Sequence, residues 1–166
     1  MEFEIKYSYN VQKNHWFLYR FKSFYNNSIL KFNIFNYKLI YLATESDNHE
    51  IINFILPKLR ENINESLFRY CHKLKKIVIP SSFQRIEEYA FYDCSSLIQV
   101  TIPSSVTYIG SDTFRDCEAL SNITIRSNLI NSIKCNTFFN CSSLTEIKIP
   151  LSVTIIEKGA FGSVLH

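Results

Sequence analysis

Glycine occurs only three times in the 166 residues, at Gly110, Gly159 and Gly162. No Gly-rich loop, Gly-x-Ser-x-Gly or Gly-Lys-Ser/Thr element can be written from them, which removes phosphate cradles and nucleophile elbows. There are five cysteines but no Cys-x-x-Cys, so the usual zinc spacing is missing. The histidines, His15, His49, His72 and His166, share no phase, so no pair is set for metal binding or proton transfer. A run of 18 apolar residues is also lacking, which excludes a spanning helix. The opening MEFEIKYSYN has two early glutamates and no apolar stretch, unlike a secretory signal, so the default expectation is the cytoplasm. A net charge of +3 is too small to imply nucleic acid or a membrane surface. Hydrophobic residues at 46% against 20% charged leave ample material for a packed interior.

Self-similarity supplies the architecture. The segments CHKLKKIVIPSSFQRIEEYAF, CSSLIQVTIPSSVTYIGSDTF and CSSLTEIKIPLSVTIIEKGAF begin at Cys71, Cys94 and Cys141, and a copy one residue longer begins at Cys117. The cysteines therefore step by 23, 23 and 24. The same phase carries Leu74, Leu97, Leu120 and Leu144, and Ile86, Ile109, Ile133 and Ile156. It also carries Phe68, Phe91, Phe114, Phe138 and Phe161.

Within each copy the chemistry of the positions predicts the local structure. Leu97-x-x-Val100-x-Ile102 ends in the alternation of a strand with one buried face. Pro103 has no N–H and should end the ladder, as should Pro80 and Pro150. Val106 and Ile109 predict a second extended segment, and Thr113-Phe114 begins a compact turn that leads to the next cysteine. Burying one large apolar side chain contributes roughly 1.5–3 kcal/mol, while ordering each residue costs roughly 1.5 kcal/mol. A single copy cannot meet that cost, so neighbouring copies must enclose one another's apolar side chains.

The pattern C-x-x-L-x-x-I-x-I-P-x-S-V-x-x-I-x-x-x-x-F over about 71–166 resembles the BspA-like, treponemal-type leucine-rich repeat. Ser82, Ser105, Asn128 and Ser152 are assigned to the position that is Asn in the commoner pattern, with Phe83, Val106 or Val153 directly after it. The resemblance implies an α/β repeat fold: a right-handed leucine-rich-repeat solenoid with a parallel β-sheet on one face. It also implies a non-catalytic module that binds host, matrix or neighbouring-cell proteins at the cell surface. A structural or truncated repeat protein with no partner of its own is the alternative, and no enzyme or cofactor is expected.

The sequence divides into an N-terminal aromatic-rich cap region, 1–50, that is partly helical, and a solenoid of four to five 23–24-residue repeats, 51–166. Two readings of the junction stay open. Phe54, Leu56, Pro57 and Ile63 continue the repeat phase backwards, as a degenerate first copy. Alternatively, residues 39–57 resemble part of an ankyrin repeat, with Asp47 and Glu50 as a capping box and Ile51, Ile52, Ile55 and Leu56 at helical spacing. Further back, Phe3, Ile5 and Tyr7 alternate as in a strand. From Lys6 to Ala43 there are six Lys or Arg and no acidic residue, interleaved with aromatics. Such a stretch can stack on single-stranded nucleic acid, but a cap over the first coil is the favoured reading and no nucleic-acid partner is expected.

One cysteine per coil places the in-phase thiols about 4.7–4.9 Å apart along the stack. That is a column of small buried hydrophobes, favoured over disulfides between coils or a metal site. Cys135 falls off phase and is the more reactive thiol. Glu87, Glu88, Asp93, Asp112 and Asp116 are expected in solvated turns. The sequons at Asn26, Asn64, Asn122 and Asn140 carry little weight without a secretion signal.

Recognition is expected from side chains pointing out of the strands: Lys76 and Val78, Gln99 and Thr101, Asn122 and Thr124, Glu146 and Lys148. Solubility alone would ask for the same polar strip. A second candidate patch is aromatic, Tyr89, Tyr92 and Tyr108 with Tyr70, since tyrosine is enriched at interface hot spots. The same rings could lie flat on coil edges. The partner class is a protein ligand. After Phe161 no polar segment covers the last coil, so the chain is expected to be a fragment, to pair end to end, or to fold its final residues over the gap.

Overall fold

A computed structural model describes residues 43, 44, 46, 52, 53, 56–58, 62, 63 and 66–163. All of them belong to one compact unit, Asn36–His166. The strand expected at Phe3–Tyr7, the basic aromatic stretch and the Asp47/Glu50 capping box lie outside the described residues.

Residues 43, 44, 52 and 53 are helical, and a 3-10 turn follows at Leu56–Lys58. Ala43, Ile52 and Leu56 are buried. Eight short strands then run in chain order: β1 Asn62–Ile63, β2 Lys76–Val78, β3 Arg85–Ile86, β4 Gln99–Ile102, β5 Tyr108–Ile109, β6 Asn122–Ile125, β7 Ser132–Ile133 and β8 Ile155–Ile156. They form parallel ladders ordered β2-β4-β6, β1-β3-β5 and β7-β8. Ile77 pairs with Val100 and Val100 with Ile123; Ile63 pairs with Ile86 and Ile86 with Ile109. Each register therefore equals one repeat, and the phase runs back as far as Ile63, whereas Leu56 lies in the 3-10 turn and among the described residues pairs with no strand.

Where proline follows a strand, its missing N–H stops the ladder. The third copy has Arg126 in that place, and its N–H donates to Ile102 O at 3.0 Å. A serine then bridges coils: Ser105 Oγ donates to Phe83 O at 2.7 Å and Ser152 Oγ to Ile130 O at 2.6 Å. In the long copy that bridge comes from Ser127, to Val106 O. Asn128, assigned to this column by counting, is exposed instead. Two residues separate Ser127 from Ile130 where none separates Ser105 from Val106, and one fewer precedes the serine, so the copy is one residue longer. Ile130 takes the buried place held elsewhere by Phe83 and Val106.

In the five coils where both positions are described, the turn after the second strand is bracketed by two left-handed residues. One column is Ser66, Tyr89, Asp112, Asn136 and Gly159, and the other is Tyr70, Asp93, Asp116, Asn140 and Ser163. Asp and Asn tolerate this region because their short polar side chains can bond locally. The bracketing turns the intervening amides toward the neighbouring coil, which makes a third hydrogen-bonded strip. Phe91 N donates to Thr113 O at 2.9 Å and Asp93 N to Arg115 O at 2.8 Å. In the next coil Phe114 N donates to Thr137 O at 2.9 Å.

Down the middle run the columns. Phe68, Phe91, Phe114, Phe138 and Phe161 stack with centroids 4.9, 5.2, 5.6 and 5.5 Å apart and near-parallel rings. Leu74, Leu97, Leu120 and Leu144 are buried beside them, with the in-phase cysteines. The thiols of Cys94, Cys117 and Cys141 donate to Phe68 O, Phe91 O and Phe114 O of the preceding coil at 3.0–3.1 Å. All five cysteines are free. Burial pushes the Cys94 and Cys141 thiols well above the ordinary range. Gly110 lets two coils approach closely, since a Cβ there would stand 2.6 Å from Glu88 N and 2.8 Å from Glu87 C.

The fourth copy of the first strand corrects the expectation. Glu146–Ile149 repeats the alternation of β4 and β6 but forms no strand. Ile147 and Ile149 are only half-buried, whereas Ile77 and Ile79 are 2% exposed. Among the described residues nothing follows to cover that coil from its other side. Its far edge is apolar and open: Leu151, Ile155 and Ile156 are 102%, 55% and 56% exposed.

Candidate binding surface

Side chains that leave the first sheet do so in two straight columns, because parallel pairing without a register shift superimposes equivalent residues. Lys76, Gln99 and Asn122 are directly paired, as are Val78, Thr101 and Thr124. Lys76, Val78, Asn122 and Thr124 are exposed, while Gln99 and Thr101 between them are half-buried. Glu146 and Lys148 are exposed beyond β6 but stand on coil rather than on a fourth strand. The strip is short and nearly uncharged in its centre. Ile98, 46% exposed, adds an apolar residue beside it.

Of the tyrosines, three come together and one does not. Tyr70 and Tyr92 meet edge to face at 5.7 Å, and Tyr89 and Tyr92 are tilted at 5.9 Å. Arg69 lies over all three rings, 4.8, 5.4 and 4.9 Å from the centroids of Tyr70, Tyr89 and Tyr92. Tyr108 stands apart on β5. The Arg85 guanidinium covers its ring at 3.9 Å, and its hydroxyl donates to Glu88 Oε1 at 2.6 Å. That hydrogen bond, with partial burial, holds the Tyr108 phenol up at about 12. Arg85 is itself pinned by Glu87 through two bonds of 2.7 and 3.2 Å, which hold its protonated form more firmly. The separation has a simple origin: Tyr89 and Tyr92 belong to the turn strip, whereas Tyr108 belongs to the second sheet. Arg69, the residue that gathers the turn tyrosines, was not legible from spacing, because its column contains both arginine and aromatic residues.

Lys134 Nζ meets Glu157 Oε1 at 2.8 Å, and Cys135 N donates to Glu157 Oε2 at 3.0 Å. The lysine, foremost, pulls the Glu157 carboxyl below its ordinary range. Cys135 is half-buried. Among the described residues no group of three or more His, Cys, Asp or Glu could hold a metal. Among the same residues no helix is long and apolar enough to cross a membrane.

Parallel strands one repeat apart, in-phase leucine and phenylalanine columns and tight turns between coils define a leucine-rich-repeat solenoid. Residues 44–165 match the BspA type leucine rich repeat region in six copies, and the chain belongs to that family. Among solved structures it is similar to a leucine rich cell surface protein from Faecalibacterium prausnitzii. The identity there is 37%, with a TM-score of 0.52, over 54% of this chain and 23% of that one. It is also similar to a leucine-rich repeat protein from Bacteroides ovatus, at 35% identity and TM-score 0.48, over 55% and 24% of the two chains. A leucine rich repeat protein of T. pallidum is 28% identical, with TM-score 0.49, over 54% of each chain. The matched region spans about a quarter of the first two proteins' length. No curated protein sequence matches the chain.

Proposed function

We propose that the chain is a non-catalytic module that recognises a protein ligand at the cell surface, in the manner of an adhesive repeat protein. The observation that carries this reading is the pair of outward columns on β2, β4 and β6. Hydrogen-bonded register fixes their spacing, and a preformed surface loses little entropy on binding. Lys76, Val78, Gln99, Thr101, Asn122 and Thr124 form its centre, with Glu146 and Lys148 at one end. Tyr89 and Tyr92 supply anchors on the turn strip, and Tyr108 a separate one on the second sheet. The surface placement is supported by the Faecalibacterium relative, whose description is that of a cell surface protein.

Replacing Gln99, Thr101 and Asn122 together by glutamate tests the strand surface. The expected result is loss of the captured protein ligand from a cell-surface pull-down, with the melting temperature close to wild type. Undiminished capture by a folded variant would take recognition off this strand surface, and failure of the unaltered chain to capture any protein would favour the structural alternative. The open edge at Leu151, Ile155 and Ile156 carries a further part of the proposal, end-to-end self-association. Sedimentation velocity over a concentration series should then show a dimer that Ile155→Lys removes. A concentration-independent monomer would exclude it.

A further inference from the structure

Between the two left-handed positions of each turn lies a column in which arginine and aromatic residues alternate: Arg69, Tyr92, Arg115 and Phe139. Arg115 Cζ is 6.0 Å from the Tyr92 centroid and 4.9 Å from that of Phe139, and Arg69 approaches Tyr92 from the opposite coil at 4.9 Å. The two arginines occupy equivalent places in the fold, yet their charges are treated differently. Arg115 is neutralised by both left-handed neighbours of its own turn. Its Nη1 donates to Asp112 Oδ1 at 3.1 Å, and its Nε lies 3.5 Å from Asp116 Oδ2. The equivalent neighbours of Arg69 are Ser66 and Tyr70, which carry no charge.

Among the described residues no carboxylate stands within ion-pair distance of Arg69. Its Nη2 donates to the Tyr70 hydroxyl at 2.9 Å, and its Nε, like that of Arg115, is enclosed without a hydrogen-bond acceptor. Asp93, in the next coil, faces His72 at 3.9 Å instead. What surrounds the guanidinium is aromatic, Tyr70, Tyr89 and Tyr92. Two of those tyrosines hold a backbone conformation that bulky residues avoid, Tyr70 at φ 63 and Tyr89 at φ 56. In every other described coil these two columns hold Ser, Asp, Asn or Gly. Tyrosine at these two turn positions, where the other coils place small or polar residues, sets both rings against the same guanidinium.

We propose that Arg69 with Tyr70, Tyr89 and Tyr92 is a receptor for a carboxylate side chain on an acidic segment of the protein ligand. The inference rests on the protein-binding reading above and gives that ligand a chemistry. The incoming carboxylate takes the position on Arg69 that Asp112 takes on Arg115. A guanidinium lying on aromatic faces is weakly hydrated and keeps a fork of donors for two carboxylate oxygens. Because the Tyr70 hydroxyl accepts from Arg69, its own proton is free to donate to the same carboxylate. Tyrosine and arginine together are the residues that most often dominate interface energetics.

The test is side-chain NMR of the full chain, reading the Arg69 and Arg115 Nε–H signals. The probes are a blocked Asp-Gly-Asp-Gly-Asp peptide, its Asn-Gly-Asn-Gly-Asn counterpart and inorganic phosphate. The acidic peptide should shift the Arg69 signal saturably, the amide peptide should leave it in place, and Arg115 should not respond. Ser66→Asp would supply in the chain itself the carboxylate that Asp112 supplies to Arg115. It should abolish the response without lowering the melting temperature, since aspartate already occupies the same φ at Asp112. Arg69→Gln should abolish the accompanying shifts of the Tyr70 and Tyr92 rings. An unmoved Arg69 signal, a response that survives Ser66→Asp, or phosphate acting as strongly as the peptide would each overturn the proposal. These signals report Arg69 directly, so they separate its failure from a failure of the strand surface in the pull-down.

Discussion

Phe114→Ala is expected to cost about 3–5 kcal/mol of stability, the range for truncating a fully buried aromatic side chain. The Phe114 ring is fully buried between Phe91 and Phe138, at 5.2 and 5.6 Å, so truncation strips a stacking face from two further rings. The cavity cannot collapse easily, because hydrogen bonds on three strips hold the coils at a fixed spacing. Phe161→Ala should cost less, since among the described residues Phe161 has a ring on one side only, and it is half-buried. Urea unfolding of the two variants measures the difference. Equal losses would contradict both the deeper burial of Phe114 and its stacking on two sides.

The leucine column gives the second large effect. Leu97→Ala should destabilise by about 2–5 kcal/mol, the range for creating a cavity in a packed core. Leu97 and Leu120 are both fully buried and hold the same place in successive coils. A double-mutant cycle on the pair should therefore show a coupling of about 0.5–3 kcal/mol, as for residues that share a cavity. A melting temperature matching wild type in Leu97→Ala would remove this column from the core.

Why the columns could be read from the amino-acid sequence is itself physical. A solenoid stacks like on like, so any inward position is constrained by its equivalent one repeat away. Leucine, phenylalanine, isoleucine and cysteine therefore recur in phase. Outward positions are free of that constraint, and the repeat phase says less about them. Exposure and residue type alone group Tyr108 with Tyr89 and Tyr92, although it sits on the second sheet over Arg85. Repeat phase puts Asn128 at the position of Ser105 and Ser152, yet Ser127 makes the bond there, because extra residues can be absorbed on either side of it. The left-handed columns did have a signal in Asp112, Asn136 and Gly159 and in Asp93, Asp116 and Asn140. Tyr70 and Tyr89 interrupt those columns and hide it. At Glu146–Ile149 the alternation was correct and the strand still absent, because a pattern states which face is inward and not whether anything covers it.

Native thiol labelling tests most directly whether the coils depend on one another for an interior. Cys71, Cys94, Cys117 and Cys141 are buried, and their walls include the neighbouring coils. With iodoacetamide under native conditions, intact-mass analysis should show a single adduct, at Cys135. The other four thiols should become reactive together, in the same narrow range of urea in which the fold is lost. Two or more in-phase cysteines reacting as fast as Cys135 in the folded protein would contradict the account, as would thiols exposed one coil at a time.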